Sequence, residues 1–224
     1  MSSALTFARE PHRRGAVRVE SWWGRAFLRA IEELAYDDNQ LSGARSLARS
    51  GRIGGLVVES GRFAAAVDDE RGLWTVTGAV PVLDGDSIAA LSEVLGASVS
   101  RAEALLAGEL PLDVAEHAEE AGVELVPYGG ELAVTCTCGH WHPFCGHSLA
   151  VLHQLCWTVD RDASVLLHLR GAERDELLSG LPMSMRQDRP AIDVAKPGES
   201  TRDQVDDVEI ALDAVLRARH LLEE

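Results

Sequence analysis

Four potential metal ligands lie within twelve residues of the chain, and their types and spacing point to metal chemistry. Three thiols and one imidazole occur as a C-x-C pair and, after a gap of six residues, a C-x-H pair: Cys136, Cys138, Cys145 and His147. Zinc takes four tetrahedral ligands from thiolate sulfur and imidazole nitrogen, and three Cys with one His is a common closed set. The spacing therefore predicts a structural zinc site.

Other interpretations of these residues explain less of the pattern. Free cysteines are often buried like small apolar residues, and a C-x-C pair can be redox-active, but neither property accounts for all four side chains. His140 and His142 lie inside the loop, and either could replace His147 as the fourth ligand. His153 and Cys156 lie beyond the motif, and we expect both to pack in the interior.

The two ligand pairs are expected where secondary-structure elements end or begin. A short strand over residues 131–135 leads into the C-x-C pair, and a helix over residues 148–157 follows the C-x-H pair. Gly146 separates Cys145 from His147, and we expect it to let the backbone turn tightly enough to aim both side chains at one ion.

The rest of the chain alternates between helical and β-rich segments. Apolar residues at helical spacing predict helices, which cover residues 22–36, 41–49, 86–95, 100–107, 112–121, 163–169 and 173–178. Three β-rich runs separated by turns predict an antiparallel meander over residues 53–58, 62–67 and 73–80. The predicted fold class is α+β, a small antiparallel β-meander plus helices with a compact zinc-stapled module.

Composition shifts divide the chain into five predicted parts. Residues 1–20 are Arg-rich without hydrophobic periodicity and are expected to form a mobile arm, and residues 21–125 an α+β domain. The zinc finger and the helices that follow it occupy residues 126–181, and a charged linker with three prolines occupies residues 182–204. The apolar residues in residues 205–224 recur at helical spacing, which predicts an amphipathic helix. This helix either packs back onto the domain or docks a partner.

The net charge of -15 is unevenly distributed along the chain. Residues 81–180 carry 16 acidic and 4 basic side chains, whereas residues 1–80 carry 10 acidic and 11 basic side chains. Nucleic-acid binding draws much of its affinity from Lys and Arg against phosphate, so the acidic zinc segment is poorly suited to it. Any contact with nucleic acid is expected within residues 1–62, where basic residues recur at i, i+4 and i+7: Arg45, Arg49 and Arg52.

The sequence contains none of the common motifs of zinc or phosphate enzymes. H-E-x-x-H is absent, as are the deaminase pattern and a glycine loop followed by Lys and Ser or Thr. Four protein ligands would also leave no open coordination position for water or substrate, so we expect no enzymatic activity. No apolar run approaches the roughly 18 residues that span a bilayer, and no signal-peptide core follows Met1, so a cytoplasmic location is expected.

The C-x-C and C-x-H pairs resemble the SWIM zinc finger. Further segments are similar to the actinobacterial type of that family, namely Trp22-Trp23-Gly24 and residues 104–111, 125–127 and 167–171. Gly146 stands where many members carry a Lys, which removes a basic side chain that could meet phosphate. The resemblance implies a module that binds protein or DNA, with a Swi/Snf-type helicase-like ATPase as partner.

These observations predict a zinc-binding adaptor for protein–protein interaction in nucleic-acid transactions. The acidic middle of the chain favours contact with the basic face of such an ATPase. Direct DNA binding through the Arg-rich N-terminal region is the alternative.

Overall fold

The computed structural model describes residues 4–142 and 144–179. The predicted linker and C-terminal helix, residues 182–204 and 205–224, lie outside these ranges and stay predictions. The described residues form a mixed fold of α-helices and one antiparallel sheet, in which five strands follow one another in chain order. The predicted α+β class is therefore confirmed.

The strands of the sheet are β1 (Leu5–Phe7), β2 (Ile53–Glu59), β3 (Arg62–Asp69), β4 (Gly72–Ala79) and β5 (Ala133–Cys136). The helices are α1 (Trp22–Glu32), α2 (Asp38–Ala48), α3 (Gly85–Gly96), α4 (Val99–Leu106), α5 (Leu112–Glu120), α6 (Gly146–Arg161), α7 (Ala163–Leu169) and α8 (Arg174–Leu177).

The predicted meander is confirmed as β2, β3 and β4, but it is the centre of a larger sheet. Its strands alternate poorly in sequence because residues 53–58 and 63–67 are buried without interruption. Strands in the middle of a sheet that is covered on both faces have continuous apolar runs, so these two strands show no polar face. β5, which ends at the first predicted ligand, pairs with β4 at one edge.

The segment predicted as a mobile arm, residues 1–20, contains one short strand. Leu5–Phe7 pairs with β2 as the strand at the other edge of the sheet. Further along, the Arg13 amide donates to the Arg49 carbonyl over 2.9 Å, and the Glu20 amide donates to the Asp160 carboxylate over 3.1 Å. Without β1, the backbone N–H and C=O groups along this edge of β2 would have no strand partner. A three-residue strand can form hydrogen bonds with them without a hydrophobic pattern of its own.

Helix α6 lies at the centre of the fold, and all residues from 148 to 159 are buried. It packs against α1 and α2 and against strands β3, β4 and β5. One continuous hydrophobic core therefore includes residues from both sides of the predicted boundary between 21–125 and 126–181. That boundary cuts through a shared core and a shared sheet, so the two predicted domains are not separate bodies.

Two tryptophans of α1 form hydrogen bonds with other elements of the fold. Ser21 caps the helix, and its hydroxyl accepts the Gly24 amide over 2.9 Å. The Trp22 indole donates to the Leu110 carbonyl over 2.7 Å, and the Trp23 indole donates to the Val159 carbonyl over 2.8 Å. Two of the segments singled out in the sequence therefore meet in space.

Across the described ranges, no helix combines the length and apolarity that crossing a membrane requires.

Candidate metal centre

The structure brings the four predicted ligands together where β5 ends and α6 begins. We call them the Cys3His cluster: Cys136, Cys138, Cys145 and His147. Their ligand atoms all lie within 4.8 Å of one another, and Cys136 Sγ is 3.8 Å from His147 Nδ1. Every cysteine of the chain is a free thiol, so no disulfide joins the C-x-C pair. The cluster is close enough to bind a metal ion.

The C-x-C pair is positioned by an extension of the β4–β5 ladder. Beyond Cys136, the Thr137 amide donates to the Thr75 carbonyl over 3.1 Å, and the Thr137 hydroxyl accepts the Thr75 amide over 2.9 Å. Gly139 then reverses the chain with a φ of 67°, a conformation that favours glycine. The edge of the sheet thus positions Cys136 directly, and the bonds of Thr137 extend the pairing up to the residue before Cys138.

The role predicted for Gly146 is wrong. Gly146 is the first residue of α6, it lacks a left-handed φ, and a Cβ there would meet nothing within 4 Å. The helix itself aims Cys145 and His147, because Cys145 is its N-cap and His147 lies in its first turn. The tight turn of the loop is at Gly139 instead.

Cys145 receives hydrogen bonds from the first turn of α6. Its Sγ accepts the Ser148 amide over 3.4 Å and the Ser148 hydroxyl over 3.6 Å, at the positive end of the α6 dipole. The hydrogen bond from the Cys136 thiol, followed by those from Ser148, lowers the pKa of Cys145. Cys136 keeps the shared proton, so its pKa is raised. A lowered pKa favours the thiolate of Cys145, which is a soft anionic donor for a metal ion.

His147 is held on its other side by a carboxylate from the β3–β4 turn. His147 Nε2 is 2.9 Å from Asp69 Oδ2, and the Trp74 ring stacks on the imidazole with centroids 5.9 Å apart and planes 24° apart. The Trp74 indole donates to Asp69 Oδ1 over 2.9 Å. The Trp74 hydrogen bond, then that from His147, holds the pKa of the Asp69 carboxyl well below its usual range.

Sequence reasoning missed Asp69 and Trp74. Asp69 precedes His147 by 78 positions, so no local spacing connects the two. The sequence does place Asp69 at the start of a turn that ends at Gly72. An Asp in that position commonly accepts hydrogen bonds from the backbone amides of the turn. That pattern identifies the turn but gives no indication that a predicted ligand lies beside it.

The loop histidines lie beside the cluster and are not members of it. The His140 ring stacks on Trp141, with centroids 5.7 Å apart, and His142 Nδ1 is 3.3 Å from the Phe144 carbonyl oxygen. Farther along α6, His153 and Cys156 are buried as expected.

The chain is similar to a curated protein whose name assigns no function. A Mycobacterium tuberculosis protein named "Uncharacterized protein Rv2102" is 30% identical over 170 residues, which cover 75% of this chain. The chain spans 61% of the length of that relative. No family model matches the chain. No solved structure matches it either.

The three arginines predicted for nucleic-acid contact lie at the end of α2 and the start of β2. Arg45 pairs with Glu32, and Arg52 Nη2 lies 3.9 Å from Glu70 Oε1. Arg49 is half-buried, and its carbonyl accepts the backbone amide of the N-terminal segment. Two of the three guanidinium groups therefore already face a carboxylate.

Proposed function

We propose that this protein is a non-enzymatic zinc-binding adaptor that docks a basic protein partner through exposed aromatic side chains beside the metal centre. The SWIM-like motif suggests that the partner is a Swi/Snf-type helicase-like ATPase, which would place the adaptor in nucleic-acid transactions. The observation that carries the proposal is an exposed aromatic surface, formed by the loop between the two ligand pairs together with Tyr36 from the α1–α2 connection.

The choice of zinc rests on the donor set and its spacing. Tetrahedral zinc, with sulfur at about 2.3 Å and nitrogen at about 2.0 Å, places a neighbouring sulfur and nitrogen about 3.5 Å apart. The Cys136 Sγ to His147 Nδ1 distance of 3.8 Å is close to this value, and all four ligand atoms lie within 4.8 Å of one another. Three thiols select soft or borderline metals over magnesium or calcium. Four protein donors fill a tetrahedral ion, which supports a structural role over a catalytic one.

The aromatic patch consists of Tyr36, His140, Trp141 and His142. Trp141 is 77% exposed and Tyr36 is 70% exposed, and their rings meet edge to face with centroids 6.1 Å apart. Gln40 holds the patch to α2, because its side chain accepts the Tyr36 amide and donates to the Phe144 carbonyl, both over 2.8 Å. Large aromatics on a braced loop are typical anchors of protein interfaces.

Charge beside the patch favours a cationic partner. Asp37 and Asp38 follow Tyr36 directly and are exposed, and the chain as a whole carries a net charge of -15. Arg and Lys side chains bind the faces of Trp and Tyr, and nearby carboxylates add to that attraction. Phosphate groups are expected to bind less well, since the guanidinium groups of Arg45 and Arg52 already face carboxylates. The patch therefore suits an Arg-bearing protein segment better than a nucleic acid.

The test is an affinity capture from the native host, followed by titration of the purified captured protein against the adaptor. Trp141→Ala is expected to weaken binding at least tenfold, because aromatic anchors in an interface contribute about 2 kcal/mol or more. Leu112→Ala is the matched control, since Leu112 is a 56% exposed apolar residue on another helix. It is expected to bind like the wild type.

Two results contradict the proposal. Equal affinity of the Trp141→Ala and wild-type proteins for every purified partner would remove the patch from the interface. Binding of duplex or single-stranded DNA at low salt that depends on Trp141, with no protein partner, would assign the patch to nucleic acid instead.

A further inference from the structure

The two nitrogens of the His147 ring have different surroundings. Nδ1 faces the thiols, at 3.8 Å from Cys136 Sγ, whereas Nε2 faces Asp69 Oδ2 at 2.9 Å. A neutral imidazole carries a proton on one nitrogen and a lone pair on the other. A carboxylate at hydrogen-bond distance from Nε2 favours the proton there, which leaves the Nδ1 lone pair directed at the cluster.

Asp69 is itself fixed by three donors that leave one oxygen for the histidine. Oδ1 accepts the Arg71 amide over 2.8 Å, the Trp74 indole over 2.9 Å and the Gly72 amide over 3.2 Å. Oδ2 is the oxygen that meets His147. The backbone of the β3–β4 turn supplies two of these bonds, so the carboxylate cannot rotate away without breaking them.

Trp74 fixes the plane of the imidazole as well. Its ring is stacked on His147 while its indole nitrogen donates to Asp69. One side chain therefore contacts both members of the pair, and the side chains of Asp69 and His147 are only 17% and 14% exposed. Water competes weakly for a hydrogen bond in such a place.

We infer that Asp69 is a positioning residue of the metal centre, which holds His147 in the Nε2-protonated tautomer so that Nδ1 is the fourth ligand. Metal-binding histidines commonly donate their second nitrogen to a carboxylate, which orients the ring and raises its basicity. The arrangement also connects the β3–β4 turn directly to the cluster through the hydrogen bond between Asp69 and His147. This inference rests on the proposed metal binding by the Cys3His cluster.

The test uses the full chain loaded with cadmium-113 and labelled with nitrogen-15. The expected spectrum shows cadmium coupled to His147 Nδ1 and a slowly exchanging proton on Nε2. Coupling to Nε2 instead would overturn the inference while leaving metal binding intact. Absence of coupling to any Cys or His of the cluster would overturn both the inference and the proposed function.

Zinc competition on variants gives a second readout. Asp69→Ala is expected to lose the slowly exchanging Nε2 proton and to weaken zinc binding about 10- to 100-fold. Asp69→Asn keeps an acceptor of the same shape and is expected to weaken binding less, which guards against a general loss of fold. Asp68→Asn, one residue away on an exposed side chain, is the matched control and is expected to bind as the wild type does. Wild-type affinity together with a retained Nε2 proton in Asp69→Ala would contradict the inference.

Discussion

His147 and His153 belong to the same helix but have contrasting electrostatic surroundings. His147 meets a carboxylate, whereas His153 is 2% exposed and its Nε2 has no hydrogen-bond partner among the described residues. Burial, and then the positive charges of Arg45 and Arg49, lower the pKa of His153 to about 4. The residue is therefore neutral in the folded protein over a pH range in which the unfolded chain would protonate it.

We predict that His153 makes the folded state less stable as the pH falls. The unfolded pKa of His is about 6.5, so between pH 6.5 and 4 the unfolded state binds a proton that the folded state does not. The loss in the free energy of unfolding amounts to about 3 kcal/mol across that window. Urea unfolding of wild type and His153→Leu at several pH values checks this, because the pH dependence of metal binding is common to both proteins.

As the pH falls from 6.5 to 4, the free energy of unfolding of the wild type is expected to decrease more than that of His153→Leu. Two curves that run parallel over this range would contradict the assignment of a buried neutral imidazole.

At the scale of elements, the β3–β4 hairpin depends on a glycine as well as on its hydrogen-bonded ladder. Phe63 in β3 is paired with Gly78 in β4, and the aromatic ring lies directly over the glycine. A Cβ at Gly78 would be 2.1 Å from the nearest ring atom of Phe63. Since Phe63 is only 3% exposed, the ring has little room to move aside.

We predict that Gly78→Ala lowers the free energy of unfolding by about 1–3 kcal/mol, the usual cost of overpacking a core. Gly54→Ala is the control, because the nearest atoms to its added Cβ would be 3.6 Å away in ordinary contact. Urea midpoints of the two variants check the difference. A Gly78→Ala midpoint equal to that of Gly54→Ala would show that the ring is free to relocate.

Elements with a periodic apolar face were predicted well, and contacts between distant elements were not. The amphipathic spacing after Trp22 predicted α1 because a helix buries one face, which is a local property. β1 has three residues, and its pairing is determined by the open edge of β2, not by its own sequence. Asp69 shows the same limit for the site, since the fold alone brings it to His147.

Over the whole molecule, the Cys3His cluster joins elements that would otherwise share only core contacts. Cys136 ends a strand of the common sheet, and Cys145 begins the helix that packs on α1 and α2. Structural zinc contributes about 10–16 kcal/mol of apparent binding free energy in small fingers, comparable with the stability of an entire domain. Metal loss should therefore loosen the edge of the sheet and the start of α6 within the shared fold, since no separate domain carries the cluster.

Metal content of Cys145→Ser tests the central claim most directly. Serine keeps an oxygen that can cap α6 through the Ser148 amide, so the change removes a soft ligand with little loss of the cap. Cys156→Ser is the matched control, since Cys156 is a buried thiol outside the cluster. Elemental analysis of purified protein gives the stoichiometry, and hydrogen exchange gives the protection of amides.

We predict one zinc ion per chain in the wild type and in Cys156→Ser. Cys145→Ser is predicted to hold much less, with amides between about residues 130 and 157 losing protection because metal binding there is coupled to folding. One zinc ion per chain retained by Cys145→Ser would contradict the account.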